Sequence, residues 1–251
     1  MPDTRKHRGP HPTDVKLFAA TEWPRLREAV CDLSWLLTRG YSETAALKLV
    51  GDRYRLTERQ RKAVQRSACS DTALQDRQRK QLQPQQLQTE MLWVDGFNVL
   101  TTVEAALAGG VILLARDGCF RDLASMHGSY RKVEETWPAL QAVGTVLQRL
   151  GVTDATWLLD RPVSNSGRLK QLIRQCAEQA GWNWQVELVD NPDPLLAQTD
   201  AVVASADSVV LDRCRRWFNL ARTVIEQSVS HFFLVDLSCK GKACEGKEPS
   251  C

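Results

Sequence analysis

The stretch MLWVDGFNVL, residues 91–100, puts an aspartate, a glycine and an asparagine directly behind an apolar run. Three other segments resemble it: TWLLD closes on Asp160, VELVD on Asp190 and VVASAD on Asp207. A single aspartate after a strand is ordinarily a turn former or a helix N-cap, and Asp207 could merely cap the helix that follows it. Several on parallel strands have a different consequence. Strands running in one direction deliver their C-terminal ends to one edge, which is where open α/β sheets bind ligands. Asp95, Asp160 and Asp207 would then meet at a common edge, with Asp190 and Asp193 nearby. Carboxylates so placed disfavour joint ionisation. A hard divalent cation relieves that repulsion, and Mg²⁺ needs only one or two carboxylates beside waters and phosphate oxygens. Metal-assisted hydrolysis of a phosphodiester is the chemistry such a cluster suits.

The elements that must position these acids follow from the pattern around them. From Met91 onward apolar runs alternate with helical segments, which implies a largely parallel sheet covered on both faces. The strands are read at MLWVD, GGVILLARDG, ATWLLD, WQVELVD, DAVVASAD and HFFLVDL. The intervening helices are YRKVEETWPALQAVGTVLQRLG, SGRLKQLIRQCAEQAG and SVVLDRCRRWFNLARTVIEQ. Before Met91 the chain reads as short helices. Leu26, Val30, Leu33, Leu36 and Leu37 share one face. Ser42 is placed to cap a second helix that Gly51 ends, and Thr57 with Gln60 has capping-box spacing for a third. The division expected is a basic helical part over 1–74, a polar glutamine-rich linker or extended helix over 75–90, an α/β part over 91–238 and a solvated tail over 239–251.

Charge separates the two halves. Residues 1–90 hold 17 Lys/Arg against 11 Asp/Glu, and residues 91–251 hold 16 against 19. Arg59, Arg61, Lys62 and Arg66 crowd the third helix as a phosphate footprint or as an ordinary solvated face. Ser164 and Ser166, before the helix of RPVSNSGRLK, could hold phosphate or simply begin that helix. No run of eighteen apolar residues occurs, and the N-terminus lacks an apolar signal segment, so no membrane partner and a cytoplasmic location are expected. Cys31, Cys69, Cys119, Cys176 and Cys214 have no common spacing, which fits reduced thiols. Cys239, Cys244 and Cys251 fall in the tail. The four histidines show no ligand spacing, which argues against a zinc enzyme.

WVDGFNVL resembles the opening strand of the PIN and NYN nuclease superfamily, and DAVVASADSVVLD resembles its later strand. The resemblance spans residues 91–237. The whole layout is similar to an uncharacterised prokaryotic family in which a helical domain of unknown function precedes a PIN-like one. The resemblance implies a PIN-like, Rossmannoid α/β fold behind a small all-α domain, and a ribonuclease using Mg²⁺ or Mn²⁺. It makes Asp95 the first metal ligand and Asn98 the residue that orients it or touches substrate. Asp207 becomes the aspartate after the later strand, with Ser205 and Ser208 as polar neighbours, and Asp160 the acid after a second core strand. A further acid is expected from Glu134 or Glu135, with Asp117 and Asp122 as rivals. Where members carry an acid pair before the later strand, VDNPDPLLAQTDAVV offers Asp193 and Asp200. That short connection leaves a second reading open, a module that binds nucleic acid or protein without catalysis. A homo-oligomer is left open as well.

Overall fold

A computed structural model describes residues 9–123, 130 and 132–239 and shows an α/β protein with a helical N-terminal part. That part comprises α1 (Asp14–Leu17), α2 (Trp23–Thr38), α3 (Glu43–Arg53), α4 (Glu58–Ser67) and α5 (Asp71–Lys80). The apolar stripe of α2 faces inward: Leu26, Val30 and Leu33 are enclosed, Leu36 nearly so, and Leu37 sits at the margin. The α4 capping box forms as its spacing requires, with the Gln60 amide donating to Thr57 Oγ1 and the Thr57 amide to Gln60 Oε1. Two expectations for α3 do not hold. Ser42 makes no side-chain cap bond, and the helix continues past Gly51 to Arg53. Gly51 instead leaves room for the Arg61 guanidinium, since a Cβ there would lie 2.0 Å from Arg61 Nη1.

From Leu92 the order is β1 (Leu92–Asp95), α6 (Gly96–Leu107), β2 (Val111–Leu114), β3 (Phe120–Asp122), α7 (Thr136–Arg149), β4 (Asp154–Asp160) and α8 (Ser166–Ala180). There follow β5 (Asn183–Val189), α9 (Pro192–Gln198), β6 (Val202–Ala204), α10 (Ser208–Arg213), β7 (Trp217–Phe218), α11 (Leu220–Ser228) and β8 (Phe233–Asp236). Five strands make a wholly parallel sheet in the order β5-β4-β1-β6-β7. The chain builds outward from β1 through β4 to β5, then returns to the other side of β1 for β6 and β7. The reversal falls between β1 and β6, and in a doubly wound sheet that crevice is where ligands bind.

Alternation along each strand divides the core in two. Leu92, Val94, Trp157, Leu159, Val202, Ala204 and Phe218 pack on the face covered by α6, α7, α8 and α11. Trp93, Leu158, Val203 and Trp217 pack on the opposite face with Leu196 of α9 and Val210 of α10. Trp182 and Trp184 stack with ring centroids 4.8 Å apart and pack against the larger cluster.

Several expectations from the sequence do not hold. The strands in GGVILLARDG and HFFLVDL do not join the main sheet: β2 and β8 pair in parallel, with β3 antiparallel to β2, in a second sheet ordered β3-β2-β8. Val111, Leu113, Val235 and Leu237 turn toward the α2–α4 core, so the helical part and this small sheet enclose one hydrophobic cluster. The helix read over SVVLDRCRRWFNLARTVIEQ is interrupted by β7, because Trp217 and Phe218 enter opposite faces of the sheet. Cys31 and Cys239 form a disulfide with Cα atoms 6.0 Å apart, so Cys31 is not the reduced thiol expected and Cys239 is tied to α2 instead of belonging to a solvated tail. Their separation of 208 residues leaves no spacing pattern to read. Cys69, Cys119, Cys176 and Cys214 are free and buried, while Cys244 and Cys251 lie outside the described residues. The glutamine-rich stretch is also less solvated than its composition implies: α5 crosses the boundary expected at residue 74, Arg77 is 2% exposed, and Leu87 is enclosed. Among the described residues no helix is long and apolar enough to cross a membrane.

Gly96 sets how closely α6 can start against the sheet. A Cβ there would stand 2.5 Å from Leu159 Cδ2 and 2.8 Å from the Leu158 carbonyl oxygen, and the carbonyl cannot move aside as a side chain can. Gly96→Ala is therefore expected to cost about 1–3 kcal/mol, read as a lower urea midpoint with an unchanged slope.

Candidate functional site

Register fixes the first two acids. Asp95 pairs with Leu158, so Asp160, two residues further along β4, projects to the same face as Asp95. That face is the one covered by α9 and α10. Asp193 lies in the first turn of α9, where Pro192 starts the helix and Asn191 Oδ1 accepts from the Asp193 amide at 3.0 Å. Asp207 immediately precedes α10. The four acids grade outward from a buried Asp95, through half-buried Asp160 and Asp193, to an exposed Asp207.

Asp95 sits at the N-terminus of α6 yet makes no side-chain cap bond to it. Its Oδ2 accepts from Ser205 Oγ at 2.7 Å, across the crevice between β1 and β6. Burial pushes its pKa up to about 7, the Ser205 hydrogen bond opposes the rise, and the charges of Asp207, Asp160 and Asp193 add to it. Asp160 is also raised, by burial and by Asp193. Asp193 is raised by burial and Asp207, and Arg213 draws it back down. The carboxylates feel one another, as acids gathered at one edge must. Among the described residues, no group of three or more His, Cys, Asp or Glu side chains is already arranged to hold a metal ion.

The polar neighbours have defined tasks. Asn98 Oδ1 accepts from the Ala206 amide at 2.8 Å, so it fastens the loop after β6 to the start of α6 and makes no bond to Asp95. Ser205 Oγ donates to Asp95 and accepts from the Asp207 amide at 3.0 Å. Asp207 Oδ1 accepts from the Val209 and Val210 amides at 2.8 and 3.3 Å, so this aspartate does cap α10. The Ser208 carbonyl accepts from Arg77 at 3.3 Å.

Other candidates stand elsewhere. Asp190 faces Arg161 at 3.5 Å on the surface, and Asp200 pairs with Arg215. Glu135 precedes α7, its Oε2 buried with no hydrogen-bond partner among the described residues, and it is not among the leading influences on Asp95. Glu134 is exposed beside it. Asp117 is held between Arg77 and Arg121, and Asp122 accepts from Thr102 Oγ1 at 3.0 Å. Ser166 is buried with its hydroxyl on the Arg161 carbonyl at 3.2 Å, while Ser164 is exposed.

The basic helix turns inward more than its charge implies. Arg59 pairs with the fully buried Asp14 at 2.5 Å, and Arg61 pairs with Asp52 at 2.7 Å. Both guanidiniums are therefore engaged by acids of the fold while remaining partly exposed. Lys62 is half-buried, its pKa lowered by burial and by Arg66, and Arg66 Nε is buried without a hydrogen-bond partner among the described residues. Arg213 was not visible as a site residue in the sequence. It is exposed at the end of α10, makes no side-chain hydrogen bond or ion pair among the described residues, and is close enough to act on Asp193.

A wholly parallel, doubly wound sheet with an acidic crevice at its reversal point defines an α/β protein whose acidic edge is built from β1, β4, β6 and α9. The chain belongs to the family described as domain of unknown function DUF5616, whose model matches residues 84–223. Its helical part, residues 25–80, matches the protein of unknown function DUF434. It is 31% identical over 186 residues to the uncharacterized protein MJ0935 of Methanocaldococcus jannaschii, an alignment covering 74% of this chain and 88% of that protein. No solved structure matches the chain.

Proposed function

We propose that this protein is a PIN-like, metal-dependent phosphodiesterase that cleaves RNA at the crevice between β1 and β6. The observation that carries the reading is Asp95, a buried carboxylate at the reversal point of a parallel sheet. Its pKa is lifted to about 7 by burial and by three other acids from separate parts of the chain. A carboxylate in that position that only shaped the fold would be expected to cap α6 or to pair with an arginine; Asp95 does neither. The reading also rests on the resemblance of WVDGFNVL and DAVVASADSVVLD to the PIN and NYN superfamily.

The donor set is all carboxylate oxygen, which fits Mg²⁺ or Mn²⁺ and does not require three preassembled ligands. Asp95 with Asp160, Asp193 and Asp207 would hold the ion. When bound, it would neutralise phosphate charge and make a water molecule acidic enough to attack near neutral pH. Ser205 keeps the Asp95 carboxylate oriented across the crevice, and Asn98 keeps the loop that carries Ser205 in place. Arg213 is the cation open to the scissile phosphate. A cytoplasmic setting belongs to the same proposal.

One observation favours the rival, a binding module without catalysis: Asp207 already uses one carboxylate oxygen on α10. Cleavage of single-stranded RNA by the full chain with Mn²⁺ separates the two. Asp95→Asn and Asp207→Asn are each expected to lower the rate by about 10²-fold or more, beyond what loss of an outer-shell partner usually does. Asp200→Asn, at an acid paired with Arg215, should leave the rate unchanged. Activity that survives both site substitutions ends the nuclease reading. RNA retention with neither cleavage nor carboxylate-dependent Mn²⁺ binding supports the rival.

A further inference from the structure

The loop after β6 is fastened from outside the main sheet as well as from Asp95. Arg121 Nε donates to the Ala206 carbonyl at 2.7 Å, between the serine that holds Asp95 and Asp207 itself. The same guanidinium donates to Asp117 Oδ1 at 2.9 Å and Oδ2 at 2.6 Å, and to the Arg66 carbonyl at 3.1 Å. Asp117 Oδ2 also accepts from Arg77 Nη1 at 2.6 Å. Arg77 reaches the Ser208 carbonyl at 3.3 Å and Asp212 at 2.7 Å. Arg77, Asp117 and Arg121 are 2%, 6% and 4% exposed.

Two positive charges and one negative buried together are expensive, and apolar side chains of similar volume often hold a fold as well or better. Their geometry has a use that apolar packing lacks. The two guanidinium forks grip main-chain carbonyls at Ala206 and Ser208, either side of Asp207, while Asp117 locks the forks to each other. Arg77 comes from α5, whereas Asp117 and Arg121 come from the second sheet and its turn.

We propose that Arg121 and Arg77, joined through Asp117, are positioning residues for the loop that carries Ser205 and Asp207, and that α5 is therefore a working part of the site. This rests on reading that loop as part of the catalytic edge. A lysine retains the charge but lacks the planar fork, so it cannot grip a carbonyl and Asp117 together.

Hydrogen exchange on the full chain, paired with Mn²⁺ titration by calorimetry, tests the role. The Ala206 amide is held by Asn98 and the Asp207 amide by Ser205, so both report on the loop. Arg121→Lys and Arg77→Lys are each expected to speed exchange at these two amides at least tenfold and to weaken Mn²⁺ at least fivefold. Amides of β4 and α8 should keep their protection. Arg79→Lys, at an exposed arginine of α5 paired with Asp76, should change neither reading. Wild-type exchange at Ala206 and Asp207 in both lysine variants overturns the proposal, and so does loss of protection throughout the molecule in both. Local loosening in a protein whose Mn²⁺ affinity is absent, or survives Asp95→Asn, keeps the positioning role and removes the metal-site reading.

Discussion

Asp95→Asn is expected to make the protein more stable at pH 8 while removing its Mn²⁺ response. The folded protein keeps the Asp95 proton up to about pH 7, because burial and three neighbouring acids oppose ionisation, whereas the ordinary value is 3.8. Between those values the folded state binds more protons than the unfolded chain, so stability falls as pH rises. The contribution is fully present below 3.8 and lost as pH passes through 7. The gap corresponds to about 4 kcal/mol. An asparagine keeps an acceptor for the Ser205 hydroxyl and carries no charge, so at pH 8 it should recover much of that loss. For a chain of this size each kcal/mol moves Tm by about 2–4 °C. Thermal unfolding at pH 4.5 and 8 checks this, with a smaller pH dependence expected for the variant. Mn²⁺ should raise the Tm of the parent protein and leave that of the variant in place. An unchanged or lower Tm for Asp95→Asn at pH 8 would contradict the assigned electrostatics.

The same acids show what could be seen in the chain before its structure. Asp95, Asp160 and Asp207 were legible because a parallel strand announces itself as a short apolar run, and its last residue marks the edge. Asp193 was legible only as one of a pair, and packing decided between them: Asp193 enters the first turn of α9, while Asp200 meets Arg215. The ion pairs of the basic helix were not legible, because arginine count carries no information about partners. Asp14 lies 45 positions from Arg59 along the chain. For the same reason Cys31 and Cys239 gave no sign of pairing. The second sheet was hidden because β2 and β8 are as apolar as β1 and β4, and only the helical core beneath them shows where they belong. Strand β7, two residues long, is too short to express a period.

Asp117→Ala is expected to be among the most damaging single substitutions in this protein. Burial alone would raise the Asp117 carboxyl, but Arg121 and Arg77 outweigh it and hold the pKa well below the ordinary range. A carboxyl lowered in this way stabilises the fold at every pH above its unfolded value and loses that effect only as pH falls toward its folded one. Removing it leaves two guanidiniums at 2% and 4% exposure without their shared partner. Breaking a buried ion group from one side costs about 3–5 kcal/mol, against a total stability of about 5–15 kcal/mol for a typical domain. Urea unfolding should show a midpoint that falls accordingly. The triple replacement Arg77→Met, Asp117→Leu, Arg121→Met distinguishes fold support from positioning. It buries no charge, so it should recover most of the lost stability, yet it offers no donor to the Ala206 or Ser208 carbonyl. A stable triple variant with fast exchange at the Ala206 amide would show that these charges are kept to place the loop. One with protected Ala206 and Asp207 amides would show that packing alone holds Ser205 against Asp95.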